Sequence, residues 1–209
     1  MAQPFLIDRA VLDGLAPSIA ASLGRLLPLA RATRIEIGEA FEVWSVGVVD
    51  APRPLADVAV PTGRFHLQVY IGIDGNAPQP AAAVTIENAG RRGAAVTVDS
   101  KGASAGWRVA KVADASLAQA VDEAIAEVDA SGRTPADVTA RLLMAWPYRI
   151  HALWFPAPGQ DLVYVISTLD GLERIRPRQW MDSTEFVSHL KNETYVQGIV
   201  DDRDTARGA

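Results

Sequence analysis

The chain has 209 residues, of which 49% are hydrophobic and 22% are charged, and its formal net charge is −5. This composition is typical of one globular domain with a substantial core, and the negative balance argues against a nucleic-acid partner. The absence of cysteine excludes disulfides, thiolate metal sites and cysteine nucleophiles. Because we find neither a signal-peptide pattern nor a run of about 18 apolar residues that could span a membrane, we expect a cytoplasmic protein.

The first quarter of the chain predicts one helix and one long strand. Apolar residues at helical spacing predict an amphipathic helix within residues 8–32, in which Pro17 begins a second segment because proline is tolerated in a first turn. Residues 35–49 are rich in β-branched and aromatic side chains, which predicts a strand that Gly38 breaks or bulges. Residues 50–63 contain three prolines and predict a connecting loop.

Residues 65–73 alternate apolar and polar side chains, which is the clearest strand pattern in the chain. We expect one face to belong to a core and the other, which carries His66, Gln68 and Tyr70, to be exposed. These three side chains supply a titratable base, an amide and a phenol, which together could orient a small polar ligand. The alternative is a strand face that is polar only because water covers it.

The middle of the chain predicts a hairpin followed by two helices. Residues 81–88 and 94–100 flank a turn with Arg91 and Arg92 at its tip, and a short strand is expected at residues 107–113. A capping box and an apolar stripe at helical spacing predict a helix from Ser116 to about Ser131. The Thr134-Pro135 pair then predicts a short second helix that ends near Leu143.

Residues 148–155 and 162–167 predict two strands joined by a loop rich in proline and glycine. Alternation places Arg149 and His151 on one face of the first strand. We expect this face to be exposed to solvent at its start and buried at its end, with His151 at the boundary. His151 is interpreted either as a hydrogen-bonded histidine at the margin of the core or as a ligand contact, with Arg149 beside it. The second strand is apolar on both faces, which predicts a strand covered on both sides.

Arg174, Arg176 and Arg178 alternate along residues 173–180, so an extended backbone would point all three in one direction. Three guanidinium groups on one face could bind a phosphate or a carboxylate. They could equally form a solvated sheet edge that deters strand pairing, a reading that Pro177 favours because it removes a backbone donor.

The C-terminal region predicts a helix and an unstructured tail. Asp182 and Glu185 form a capping pattern for a helix that ends near Lys191. Residues 194–200 predict a short strand, and residues 201–209 are charged and expected to be disordered.

These elements predict an α+β fold, with a largely antiparallel sheet, an N-terminal helix, a central helix pair after residue 115 and a short C-terminal helix. We expect residues 1–200 to form one domain. No nucleotide-binding loop, nucleophile elbow or metal-binding helix motif is present, so no catalytic residue, metal ligand or cofactor site is predicted. We therefore expect a non-catalytic domain that binds a protein partner, which could be a second copy. The alternative is an enzyme or ligand-binding protein with a site around His66 or His151.

Overall fold

The computed structural model describes residues 7, 9–24, 34–72, 77–88, 106–113, 115–134, 138–168 and 172–193. They form one eight-stranded sheet with helices packed on it, which confirms the predicted α+β class. The helices are α1 (Arg9–Gly24), α2 (Leu55–Val58), α3 (Ala115–Ser131) and α4 (Ser183–Asn192). The strands are β1 (Arg34–Val46), β2 (Ala59–Gly72), β3 (Gln79–Asn88), β4 (Trp107–Ala113), β5 (Arg141–Ala145), β6 (Ile150–Phe155), β7 (Leu162–Ser167) and β8 (Trp180–Asp182).

The sheet consists of two antiparallel meanders that meet at its centre. The strand order is β4-β3-β2-β1-β5-β6-β7-β8, and β1 and β5 pair in parallel while the other neighbours pair antiparallel. The prediction of a largely antiparallel sheet is therefore confirmed. A parallel pair needs a crossover connection, and here β2, β3, β4 and α3 separate the two central strands in sequence.

One face of the sheet is covered by α1 over the first meander and by α4 over the second. The apolar stripe of α1 packs on Phe65, Leu67 and Val69 of β2, all fully buried. Pro17 lies inside α1 on its exposed side. The predicted second helical segment is therefore wrong, since the hydrogen bond that proline removes lies where water can replace it.

The opposite face of the sheet is covered by α3. Its buried residues Val121, Ala124 and Val128 pack on apolar side chains of β1, β5, β6 and β7. The second meander is covered on this face and on the face that α4 covers, and Val163 to Ile166 in β7 are all buried. This confirms the prediction that residues 162–167 form a strand covered on both sides.

The prediction of a second central helix ending near Leu143 is wrong for the residues that the structure describes. Residues 141–143 belong to β5, which lies between β1 and β6. A short apolar run fits a buried helix and a buried strand equally well, and Leu142 and Leu143 are fully buried between two neighbouring strands. The expected loop at residues 50–63 is also shorter, because α2 and the start of β2 occupy residues 55–63.

Two local predictions are confirmed. The pairing of β1 with β2 shifts register between Ile37 and Ala40, which places a bulge at Gly38. Asp182 caps α4, because its side chain accepts a hydrogen bond from the Thr184 amide at 2.8 Å. The strands predicted at residues 94–100 and 194–200, the turn at Arg91 and Arg92, and the tail at residues 201–209 lie outside the described residues.

Candidate functional site

The polar face of β2 is buried, so the prediction that His66, Gln68 and Tyr70 line an exposed surface is wrong. The exposed fraction of His66 and of Gln68 is only 1%, because α3 lies over this part of the sheet. The Gln68 amide donates to the Ala118 carbonyl of α3 at 3.3 Å, and the Tyr70 hydroxyl lies 2.6 Å from the Asp122 carboxylate. Burial raises the pKa of Tyr70, so its hydroxyl stays protonated and donates to Asp122. These bonds anchor α3 to the sheet.

A cavity of about 350 Å³ opens beside this anchored region, between the sheet and the first turn of α3. The volume lies within the range of small-molecule sites. The register of the strands creates it, since His66 pairs with Thr85, Thr85 pairs with Lys111, and Met144 pairs with His151. The lining residues come from six strands, α3 and the turn before β6: Val43, Thr62, Arg64, His66, Thr85, Ala110, Lys111, Leu117, Met144, Trp146 and His151.

His66 is the most unusual residue in this lining. Its Nε2 atom is buried and has no hydrogen-bond partner among the described residues. Burial lowers the pKa of His66 to about 4, and the charge of His151 adds to this effect. The imidazole is therefore neutral near pH 7, and one of its ring nitrogens is buried without a described partner.

His151 lies on the same cavity, so the fold joins the two histidines that the sequence pointed to separately. Its Nδ1 atom lies 2.9 Å from the Ser167 hydroxyl, and its ring meets the ring of Trp146 edge to face at 6.0 Å. Burial and then the charge of Lys111 lower the pKa of His151. His151 thus has a hydrogen-bonding partner on one ring nitrogen, in contrast to the unpaired Nε2 of His66.

Arg149 does not share the face of His151, which corrects the parity prediction. Residues 146–148 form a 3-10 turn, and β6 begins only at Ile150. Arg149 ends the turn in the left-handed conformation with φ of 53° and is exposed. Pro147 favours the turn, and the strand therefore starts two residues later than the sequence pattern indicated, at Ile150 rather than at residue 148.

Basic side chains outnumber acidic ones beside the cavity. Glu87 accepts from the Arg64 Nε atom at 2.9 Å and also pairs with Arg108. Partial burial opposes ionisation, but the hydrogen bonds from Arg108 and Arg64 hold the pKa of Glu87 below its ordinary value. The Glu87 carboxylate thus pairs with two guanidinium groups. Lys111 has no ion pair within the described part of the chain.

The arginines at residues 174–178 lie elsewhere, and their backbone is not extended as predicted. The segment from Leu172 to Gln179 is irregular rather than extended, and Arg178 has a φ of 62°. Arg178 turns towards α3 and pairs with Glu123 and Glu127 at 2.8 and 3.2 Å. Arg174, Arg176 and Arg178 nevertheless all line one open surface depression, together with Arg133, so anion binding at these residues stays a prediction.

Sequence reasoning missed several lining residues, above all Lys111, Thr85 and Trp146. Alternation along β4 and β3 would place Lys111 and Thr85 on defined strand faces, but only strand order and register bring those faces to His66. Within the described residues, no group of three or more histidine, aspartate or glutamate side chains could hold a metal ion. Among the described helices, none is long and apolar enough to cross a membrane.

No family model, curated protein or solved structure matches the chain significantly.

Proposed function

We propose that the protein binds a small organic molecule in the cavity that His66 lines. The observation that carries the proposal is the buried Nε2 atom of His66, which lacks a partner in the described structure. Leaving a buried polar group unpaired costs about 1–3 kcal/mol, and native proteins keep few such groups. A ligand that hydrogen bonds to Nε2 would recover this energy on binding.

The chemistry of the cavity favours binding over catalysis. A general base works best when its pKa lies near the working pH, whereas the pKa of His66 is about 4. The Thr62 hydroxyl donates to the Val43 carbonyl at 2.7 Å, so its proton is engaged in the β1–β2 pairing. No carboxylate is among the described lining residues, and such a group would be needed to orient or charge an imidazole during proton transfer.

The expected protein partner, including a second copy, receives little support from the described surface. The exposed large apolar side chains among the described residues are Val48 and Val60, which do not amount to the apolar patch that a stable interface uses. Self-association remains a prediction that sedimentation velocity over a wide concentration range can test. A strict monomer at every concentration would contradict it.

Thermal unfolding in the presence of a metabolite library tests the ligand proposal. A ligand at 100 times its Kd stabilises the folded state by about 2.7 kcal/mol, which raises the Tm of a chain of this size by roughly 5–10 °C. We expect at least one compound to raise the Tm of the parent and to lose this effect in His66→Phe, which keeps a ring but removes both nitrogens.

The matched control is His189→Phe, because His189 lies on α4 and pairs with Glu185 rather than lining the cavity. A stabilising compound should act on this variant as it does on the parent. The proposal would be overturned by a library without any stabilising compound, or by compounds that stabilise His66→Phe as well as the parent.

A further inference from the structure

The cavity carries excess positive charge at its β4 side. Arg64 and Lys111 line it and Arg108 lies next to it, while Glu87 is the carboxylate that pairs with the two arginines. Three cations therefore face one described anion. Arg64 donates to Glu87 through Nε, and its guanidinium has further N–H donors that make no ion pair with another described carboxylate.

Lys111 is the cation best placed to accept a partner of its own. It projects from β4, the edge strand of the described sheet, and pairs in register with Thr85 beside His66. Its ammonium group has no ion pair within the described part of the chain, yet it lies close enough to His151 to act on that imidazole. An ammonium without a described counter-charge is a strong donor for an anionic acceptor.

The first turn of α3 adds to the same positive field. Leu117, the third residue of this 17-residue helix, lines the cavity. The amino-terminal end of a helix has partial positive charge from its aligned peptide dipoles. This field alone would not define a site, but Leu117 shares the cavity lining with His66, whose buried Nε2 atom has no described partner.

The part of the lining from β1, β5 and the turn before β6 is apolar. Met144 and Trp146 contribute a thioether and an indole, and Val43 extends this surface along β1. The indole of Trp146 is only partly buried, so its ring can contact a ligand. The cavity thus has a cationic side and an apolar side, with His66 on β2 and His151, next to Met144, on β6.

We infer that the ligand is an amphiphilic oxyanion, a carboxylate or a phosphate attached to an apolar body, and that Lys111 binds its charged group. This inference rests on the proposed function, since it specifies what the His66 cavity accepts. The apolar body packs on Met144 and Trp146, and His66 Nε2 supplies or accepts one hydrogen bond. A neutral ligand of the same shape would leave the cations without a counter-charge.

Calorimetric titration with three related probes tests the inference: 2-naphthoate, 2-naphthyl phosphate and the neutral 2-naphthamide. We expect at least one oxyanion to bind the parent at least tenfold more tightly than the amide, and the tighter oxyanion identifies the head group that fits. The preference should disappear in Lys111→Met and persist in Lys111→Arg, which restores the charge. Lys111 is exposed, so both variants should keep the parent Tm.

The inference would be overturned by equal affinities for the amide and the oxyanions, by a preference that survives in Lys111→Met, or by the failure of both oxyanions to bind. These outcomes are distinct from failure of the proposed function. If the amide binds to the parent and not to His66→Phe, the cavity is a ligand site without a charge requirement. If no probe and no library compound binds, both proposals fail.

Discussion

His66 and His151 line one cavity, and the charge that His151 acquires on protonation lowers the pKa of His66. The two residues lie on strands that are not neighbours, since β1 and β5 separate β2 from β6. Their proximity is therefore a product of sheet order. It places two imidazoles that are hard to protonate in one partly enclosed space.

The burial of His66 predicts that the protein loses stability in mild acid. The pKa of His66 is about 4 in the folded protein, against 6.5 for the exposed side chain. As the pH falls below about 6.5, the unfolded chain takes up a proton that the folded chain does not accept. The free energy of unfolding should therefore fall by about 3 kcal/mol between pH 6.5 and 4 from this residue.

Urea denaturation at pH 7 and pH 4 measures this effect when the parent is compared with His66→Phe. The variant retains every other titrating group, including His151 and Glu87, so the difference between the two pH dependences reports His66 together with its coupling to His151. If parent and variant lost the same free energy between the two pH values, His66 would not be buried in its neutral form.

His66→Phe should also be more stable than the parent at pH 7, by about 1 kcal/mol. The substitution removes a buried ring nitrogen that has no described partner and replaces it with carbon, so a desolvation cost disappears. Denaturant melts check the sign of the change. A loss of more than 1 kcal/mol would indicate that the imidazole has a structural partner, and would weaken its assignment to ligand binding.

Gly38→Ala should destabilise the protein by about 1–3 kcal/mol through overpacking. A Cβ atom on Gly38 would lie 2.6 Å from Cε2 of Tyr70. The ring cannot move away freely, because its hydroxyl is bonded to Asp122 and lies 3.0 Å from Gln68 Oε1. Denaturant melts measure the loss, and the added substitution Tyr70→Leu should relieve the steric part of it.

Gly47→Ala is the matched control, since a Cβ atom on Gly47 would meet nothing within 4 Å. It should change the free energy of unfolding by less than about 0.5 kcal/mol. Equal effects of the two glycine substitutions would contradict the role assigned to the Tyr70 ring.

Trp154→Ala should cost about 3–5 kcal/mol, because it empties a large buried site. Trp154 is 1% exposed, its indole donates to Asp161 and it packs edge to face on Trp44 with ring centroids 5.3 Å apart. Denaturant melts should show this loss, whereas Val60→Ala, at a site 58% exposed, should change little. A loss below 1 kcal/mol for Trp154→Ala would contradict its place in the core.

The core faces of single strands could be predicted from the sequence because alternation is a local property. Phe65, Leu67 and Val69 are buried together as their spacing predicts, and Trp154 is buried as expected. The burial of the other face of β2 could not be predicted, because it depends on where α3 packs. The polar side chains of His66 and Gln68 therefore predicted a solvent-exposed face. In the fold, that face lies against α3 and a cavity.

The candidate site could be predicted only as separate residues. Side-chain chemistry and strand parity single out His66 and His151, but their meeting depends on the order of the strands. The contribution of Lys111 depends on the register of β2, β3 and β4. Leu142 and Leu143 likewise show that strand pairing distant in sequence can decide local structure. A local helix signal at Thr134 was overridden by the pairing of β5 with β1 and β6.

Nitrogen-15 NMR of the histidine side chains tests the central claim most directly, because the chain has only three histidines. The spectrum of the parent is recorded without ligand and then with saturating amounts of whichever naphthalene probe binds most tightly. We predict that the Nε2 signal of His66 shifts on binding, while the signals of His189 stay in place. Binding that leaves the Nε2 signal of His66 unchanged would contradict the assignment of this cavity as the ligand site.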